Sequence, residues 1–224
     1  MSNDAVLPVD LRPLAYRWLS GLFADAPVQK TLEGFADAAG RTLINALADN
    51  PVFRPLVEAI RGTATDAKTR HIRAVDLAVS YGRLFLGAAG PDSPRPVQSA
   101  YVARGTAQEQ EPARAMEDLL QALDFGRADA GQTPPDHIAV QMDVMAELAA
   151  RFAHAWTEGR HAEEQDLRQR QIVFIEDHLL SWLPQFRADC AIIDDVGFYA
   201  TALGVTEAFI EQDRNWLASG GPHA

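Results

Sequence analysis

Apolar residues return every three or four positions in segment after segment of this chain, and no stretch sustains the strict alternation of a half-buried strand. Over 136–156, Ile138, Met142, Met145, Ala149, Phe152 and Trp156 keep the spacing that lines one face of an α-helix. Leu11, Leu14, Ala15, Trp18, Leu19 and Leu22 do the same after Asp10, a candidate N-cap. Asn50-Pro51 sets a capping residue before a first-turn proline, and Phe53, Leu56, Val57 and Ile60 follow in register. A longer helix is predicted over 67–85, with Ile72, Val75, Ala78, Tyr81, Leu84 and Phe85 on its inner side, and another over 111–123. Ile172, Ile175, Leu179 and Leu183 continue the pattern to Pro184, which should end it by removing a hydrogen bond. Two short helices, 195–203 and 205–217, are expected on either side of Gly204. The predicted fold is all-α: a single-domain bundle of roughly eight or more helices over residues 1–224, without internal repeats.

With 224 residues, 47% of them hydrophobic, the chain can bury a substantial core. Its lone cysteine, Cys190, excludes an intrachain disulfide and any zinc site built on paired cysteines, which suits a reducing compartment. The first 13 residues carry Asp4, Asp10, Pro8 and Pro13 instead of a basic start and an apolar run, so no secretory signal is read there. No stretch approaches the ~18 unbroken apolar residues of a membrane span. A cytoplasmic location without stable membrane insertion is expected. The net charge of −11 argues against nucleic acid, because no basic stripe offsets it: Arg151, Arg160, Arg168 and Arg170 are interleaved with Glu158, Glu163, Glu164 and Asp166. An acidic surface favours basic partners by speeding encounter and rejecting wrong ones.

Residues 87–110 interrupt the helices with weak periodicity and with Pro91, Pro94 and Pro96. A Pro/Gly-rich connection of that length in a compact domain is usually functional or disordered, and it can act as a hinge through which two copies exchange helices. A monomer and a domain-swapped homodimer are both compatible with it.

Catalytic constellations are missing from the sequence. There is no glycine-rich phosphate loop, no G-x-S-x-G and no H-E-x-x-H, so no nucleotide, metal or other cofactor is expected. Glu158 and His161 have the spacing of a carboxylate-bridged metal ligand pair, yet the pattern occurs once where two copies are needed. Asp136-His137 and Asp177-His178 are adjacent pairs that point about 100° apart on a helix and cannot relay a proton within a pair. The two pairs could still meet across a groove. Thr133-Pro134-Pro135-Asp136 reads as a helix start, with Thr133 as N-cap and Asp136 at the positive end of the dipole. Phe174, His178 and Trp182 fall four apart on one face and fit either core packing or the wall of a peptide groove.

Four motifs in order carry a resemblance. Tyr81-x-x-Leu84-Phe85-x-Gly87, Pro96-x-x-Ser99-x-Tyr101, Pro134-x-Asp136-His137 and Phe174-x-x-x-His178-Leu-x-x-Trp182-x-x-x-Phe186 together resemble the TorD/DmsD family of cytoplasmic redox-enzyme maturation chaperones, related to the NarJ group. Phe198-Tyr199 and Ala208-Phe209 are similar to the family's closing helices. The resemblance implies a non-enzymatic, all-helical chaperone for an exported molybdenum-cofactor oxidoreductase. It would bind the twin-arginine signal peptide of that client, the apo-form of the molybdopterin catalytic subunit, or both, until the cofactor is inserted. Matched position by position, the peptide-binding residues it implies are Tyr81, Leu84, Phe85, Pro96, Ser99, Tyr101, Asp136 and His137, with His178 and Trp182 as a possible groove wall. Two positions depart from the family pattern: Thr133 stands where Glu is common, and Val97-Gln98 where an aromatic-Glu pair is common.

The physical expectation is consistent with this. A twin-arginine leader is a basic segment followed by an apolar run, so its receptor needs a carboxylate beside an exposed groove. Asp136 beside Leu84 and Phe85 would supply both if the fold brought those helix ends together. Two alternatives remain at this level: an assembly factor gripping the folded client body without leader recognition, and a metal-dependent hydrolase using His137, His178 and nearby carboxylates.

Overall fold

The computed structural model describes residues 6–26, 29–63, 66–91, 93–102, 110–126 and 132–221. Among them there is no strand, only one isolated antiparallel bridge between Val97 and His137. The helices are α1 (Arg12–Ala24), α2 (Gln29–Ala36), α3 (Ala38–Ala48), α4 (Arg54–Thr63), α5 (Ala67–Phe85), α6 (Ser99–Val102), α7 (Glu111–Ala122), α8 (Ile138–Thr157), α9 (His161–Phe174), α10 (Leu183–Ile193) and α11 (Phe198–Ala218). The fold is all-α, as the periodicity requires. No described helix is long and apolar enough to cross a membrane. The chain gathers into two compact units, the first built on Asp25–Arg95 and Arg187–Phe209, the second on Pro8–Ala24, Pro96–Phe186 and Ile210–Ala224. Of the expected hinge loop, residues 92 and 103–109 lie outside the described residues.

In the first unit, short polar side chains start the helices. The Asp37 carboxylate accepts from the Gly40 N–H at the head of α3, and Asp66 accepts from Lys68 and Thr69 at the head of α5. Asn50 accepts from Val52 N–H over a 3-10 turn begun by Pro51, which leads into α4. Phe53, Leu56, Val57 and Ile60 are all buried, as their spacing predicts. The long helix α5 buries Tyr81, Leu84 and Phe85 of its expected apolar side but leaves Ile72, Val75 and Ala78 exposed. Ala74, Leu77, Ser80, Tyr81, Leu84 and Phe85 face inward, whereas Ile72, Val75 and Val79 are 49%, 51% and 59% exposed. Both sides of this helix obey the same period, so partners decide between them. Tyr199 is one, its hydroxyl donating to the Leu77 carbonyl at 3.4 Å. Asp194 is another, accepting from the Ser80 hydroxyl at 2.9 Å and from Ala200 N–H at 2.8 Å.

In the second unit, α1 packs along α8, which is buried around most of its circumference. Ser20 of α1 donates its hydroxyl proton to the Ala139 carbonyl at 3.0 Å, so the two backbones run close. Arg12 is fully buried. Its Nε and Nη2 donate to the two carboxylate oxygens of Asp213 at 2.6 and 2.8 Å, Nη2 also reaches Gln171 Oε1 at 2.7 Å, and Tyr16 donates its hydroxyl to Asp213 at 2.7 Å. The guanidinium lies 4.6 Å from the Trp216 ring centre and 5.5 Å from that of Phe152. An apolar stripe could not announce this clamp, and Leu14, counted in that stripe, is exposed.

Three local expectations are corrected. Pro184 does not end a helix: it sits in the first turn of α10, where its missing N–H is an orphan in any case. The preceding ladder instead widens into a π-turn at Ile175–Leu180. Gly204 does not separate two helices, since α11 runs through it; burial of Ala202, Leu203, Val205 and Thr206 outweighs the roughly 1 kcal/mol a helical glycine costs. His137, not Thr133, caps α8, its Nδ1 accepting from Ala139 N–H at 3.2 Å.

Candidate functional site

The residues singled out from sequence fall into two groups, one in each unit. Tyr81, Leu84 and Phe85 belong to the first unit, buried at the end of α5. The Tyr81 and Phe85 rings meet edge-on at 4.9 Å, and Tyr199 packs against them at 6.0 and 5.1 Å. Burial, reinforced by Asp25, pushes the Tyr81 hydroxyl up to about 12. These side chains form an aromatic core that holds the C-terminal end of α5.

Pro96, Ser99, Tyr101, Asp136, His137, His178 and Trp182 all belong to the second unit, and a short extended stretch stitches them together. Ile138 N–H donates to the Pro96 carbonyl at 2.9 Å, and Gln98 N–H donates to the Asp136 carbonyl at 3.1 Å. Between these bonds lies the bridge of Val97 and His137. The Asp136 carboxylate accepts from Ser99 N–H at 2.8 Å, at the start of α6. With only 1% of its surface exposed, Asp136 ties the loop to the head of α8 and does not reach solvent.

Gln98 is the hub. Its Nε2 donates to the Asp177 carbonyl at 2.7 Å and reaches the Ser181 hydroxyl at 3.3 Å. Its Oε1 accepts from Gln141 Nε2 at 2.9 Å and lies 3.2 Å from His178 Nδ1. Gln141 Oε1 in turn accepts from Trp182 Nε1 at 3.1 Å, which also donates to the His178 carbonyl at 2.7 Å. The bonds made by the two amides call for a proton on His178 Nδ1, directed at Gln98 Oε1. Burial lowers the His178 pKa against the opposing pull of Asp177, in keeping with a neutral ring. The π-turn makes the arrangement possible, because where the ladder changes register the carbonyls of Asp177 and His178 accept side-chain donors. Tyr101 closes the outer side, 5.5 Å from Trp182 and 5.8 Å from Phe186.

The two Asp-His pairs are therefore tied to the same loop: Gln98 N–H donates to the Asp136 carbonyl, and the Gln98 side chain reaches the Asp177 carbonyl and His178 Nδ1. Glu158 and His161 part company: Glu158 ends α8 and contacts His154, whereas His161 begins α9 and contacts Glu164. Among the described residues no group of three or more His, Cys, Asp or Glu side chains could hold a metal ion. Motif reading noted Gln98 only as part of a departure from the family pattern and passed over Gln141. Gln141 left a trace in the sequence as an uncharged polar residue inside the apolar run 138–149.

The cluster fastens a loop to the head of a helix by hydrogen bonds within an all-α fold. Comparison with known proteins identifies the family. A model of the nitrate reductase delta subunit family matches residues 24–188. The chaperone protein TorD of Aliivibrio salmonicida is 30% identical over 203 residues, 91% of this chain and 93% of its own. TorD of Vibrio cholerae (strain M66-2) is 32% identical over 218 residues, 97% and 96% of the two chains, and TorD of Vibrio vulnificus (strain CMCP6) is 31% identical over 202 residues, 90% and 92%. The chain belongs to the nitrate reductase delta subunit family, and these relatives are chaperones, not enzymes.

Proposed function

We propose that the protein is a cytoplasmic chaperone for the maturation of an exported molybdenum-cofactor oxidoreductase, and that it binds the client's twin-arginine signal peptide and apo-subunit until the cofactor is in place. The observation that carries this reading is end-to-end similarity to TorD chaperones. The stitched loop of the second unit supports a peptide-binding role. Ser99 and Tyr101 are partly exposed on it and are the contacts offered to a peptide, while Asp136, His137 and Trp182 are buried and hold the loop's shape. Tyr81, Leu84 and Phe85 are assigned the same supporting role at the end of α5. His178 completes the wall as a neutral side chain.

A second reading, gripping of the client body, is favoured by the apolar outer face of α5 at Ile72, Val75 and Val79. Calorimetric titration with leader peptides of molybdoenzymes, each against its twin-lysine counterpart, separates the two. Micromolar or tighter binding of one twin-arginine leader and loss with lysine is expected. A leader-deleted client that binds as well as the complete precursor would replace leader recognition with body recognition.

A further inference from the structure

Between α1 and the head of α8, within the second unit, lies a cleft of about 480 Å3 lined by Arg17, Ser20, Gly21, Phe125, Val140 and Asp143, among others. Its walls are made of small and apolar groups. A Cβ built on Gly21 would meet nothing within 4 Å, so the α1 side of the cleft is open space. One carboxylate faces it. Asp143 is half-buried on α8 and, among the described residues, has no cation within ion-pair distance. The Ser20 hydroxyl is within its reach, but that hydroxyl has one proton to share between Asp143 and the Ala139 carbonyl. Burial raises the Asp143 pKa despite the opposing effects of Ser20 and of Arg17, the other charged group lining the cleft among the described residues. Arg17 is exposed on α1 and makes no ion pair with Asp143.

A carboxylate drawn out of water without a counter-ion favours a cation supplied by a ligand. A small inorganic cation would leave the apolar walls and the phenyl ring of Phe125 unused. A long basic side chain uses both, its stem against Val140 and Phe125 and its charged head at Asp143. Arg17 would repel a bare polyamine but can donate to a backbone carbonyl, which selects a peptide as the carrier of the cation. We propose that this cleft receives one arginine side chain of a bound peptide, with Asp143 as its counter-charge and Arg17 holding the adjoining peptide backbone. The assignment deepens the peptide-binding reading above and rests on it for the identity of the peptide.

The test uses the complete chain and two short probes, acetyl-Ser-Arg-Arg-amide and the same peptide with citrulline, the neutral isostere, in place of each arginine. Amide shifts followed by NMR should move at Gly21, Val140 and Asp143 with the arginine probe. Affinity should fall at least about tenfold with citrulline and by a similar factor in Asp143→Asn. Gly21→Leu fills the cleft from α1 without meeting backbone and should abolish the shifts while Asp143 remains in place. An arginine probe that moves resonances elsewhere and leaves these three unchanged overturns the proposal, as does equal binding of both probes by the wild-type protein and Asp143→Asn. Occupation of the cleft by the short probe together with failure of every complete leader to bind would sustain the cleft and refute the leader reading instead.

Discussion

Two carboxylates of the second unit face the same helix, α1, and meet opposite fates there. Asp213, near the chain's end, is sealed in the interior, and every oxygen has a donor: two N–H groups of Arg12 and the Tyr16 hydroxyl. Asp143, one helical turn past the head of α8, keeps partial contact with water and has a shared hydroxyl and the exposed Arg17 nearby, without an ion pair. A buried ion pair costs several kcal/mol to desolvate and recovers that cost only with full hydrogen bonding. Asp213 meets the condition on its own oxygens, although Arg12 Nη1 is left without a hydrogen-bond partner among the described residues, and the pair is committed to architecture, fastening the first helix to the last across 201 positions of sequence. Asp143 does not meet it and is left available. Between these extremes stands the Gln98 network, uncharged and fully connected, which holds its loop without the desolvation penalty of ions.

The comparison breaks most visibly at Arg12. Arg12→Ala strands the Asp213 carboxylate in the interior and should lower the unfolding free energy by about 3–5 kcal/mol in urea titration. The double variant Arg12→Ala/Asp213→Ala should recover part of that loss, because it removes the orphaned charge. A cost for Arg12→Ala below about 1 kcal/mol would mean that the pair is as dispensable as a surface bridge.

Gln98→Ala comes next. It removes partners from Gln141, His178 and the Asp177 carbonyl together, and about 1–3 kcal/mol is expected from unsatisfied buried groups. Amide exchange should speed up at Gln98 and Ser99 and stay slow along α8; uniform exchange would deny the amide its role as hub.

Asp143→Asn should have the smallest effect on stability, and in the opposite direction. The folded pKa of Asp143 is raised, so its protonated form is favoured on folding. Its stabilising contribution is complete below the unfolded value and is lost as pH rises through the folded one. The variant should therefore melt at the same temperature or slightly higher than wild type near neutral pH, and the difference should vanish by about pH 4. A melting temperature that falls at neutral pH would make Asp143 a structural residue like Asp213.

Much of the fold was legible because helical periodicity is a local property. The stripe from Ile138 to Phe152 and the set Phe53, Leu56, Val57 and Ile60 are buried as their spacing requires, and Asn50 caps as its side chain permits. Legibility failed where two answers were locally equal. Both faces of α5 are apolar at period 3.6, and partners distant in sequence, among them Tyr199 and Asp194 more than a hundred positions away, choose between them. Thr133 and His137 can both cap α8, and the pairing of His137 with Val97 selects the second.

Of the candidate site, the sequence order of motifs sufficed to assign the family and to single out the Pro96–Tyr101 and Asp136–His137 segments. It could not show that Gln98 joins them to His178, because a glutamine carries no periodic or charge signature. Nor could it show that the helix through His178 widens to offer its carbonyls. By itself, then, the sequence determined helix content, the cap at Asn50 and a net negative charge, all written in spacing and composition, while the order of its motifs carried the resemblance to a chaperone family. The tertiary structure alone decided which charges are matched. Whether a carboxylate is spent on a clamp, like Asp213, or left facing a cleft, like Asp143, depends on which donors long-range packing brings within about 3 Å of it.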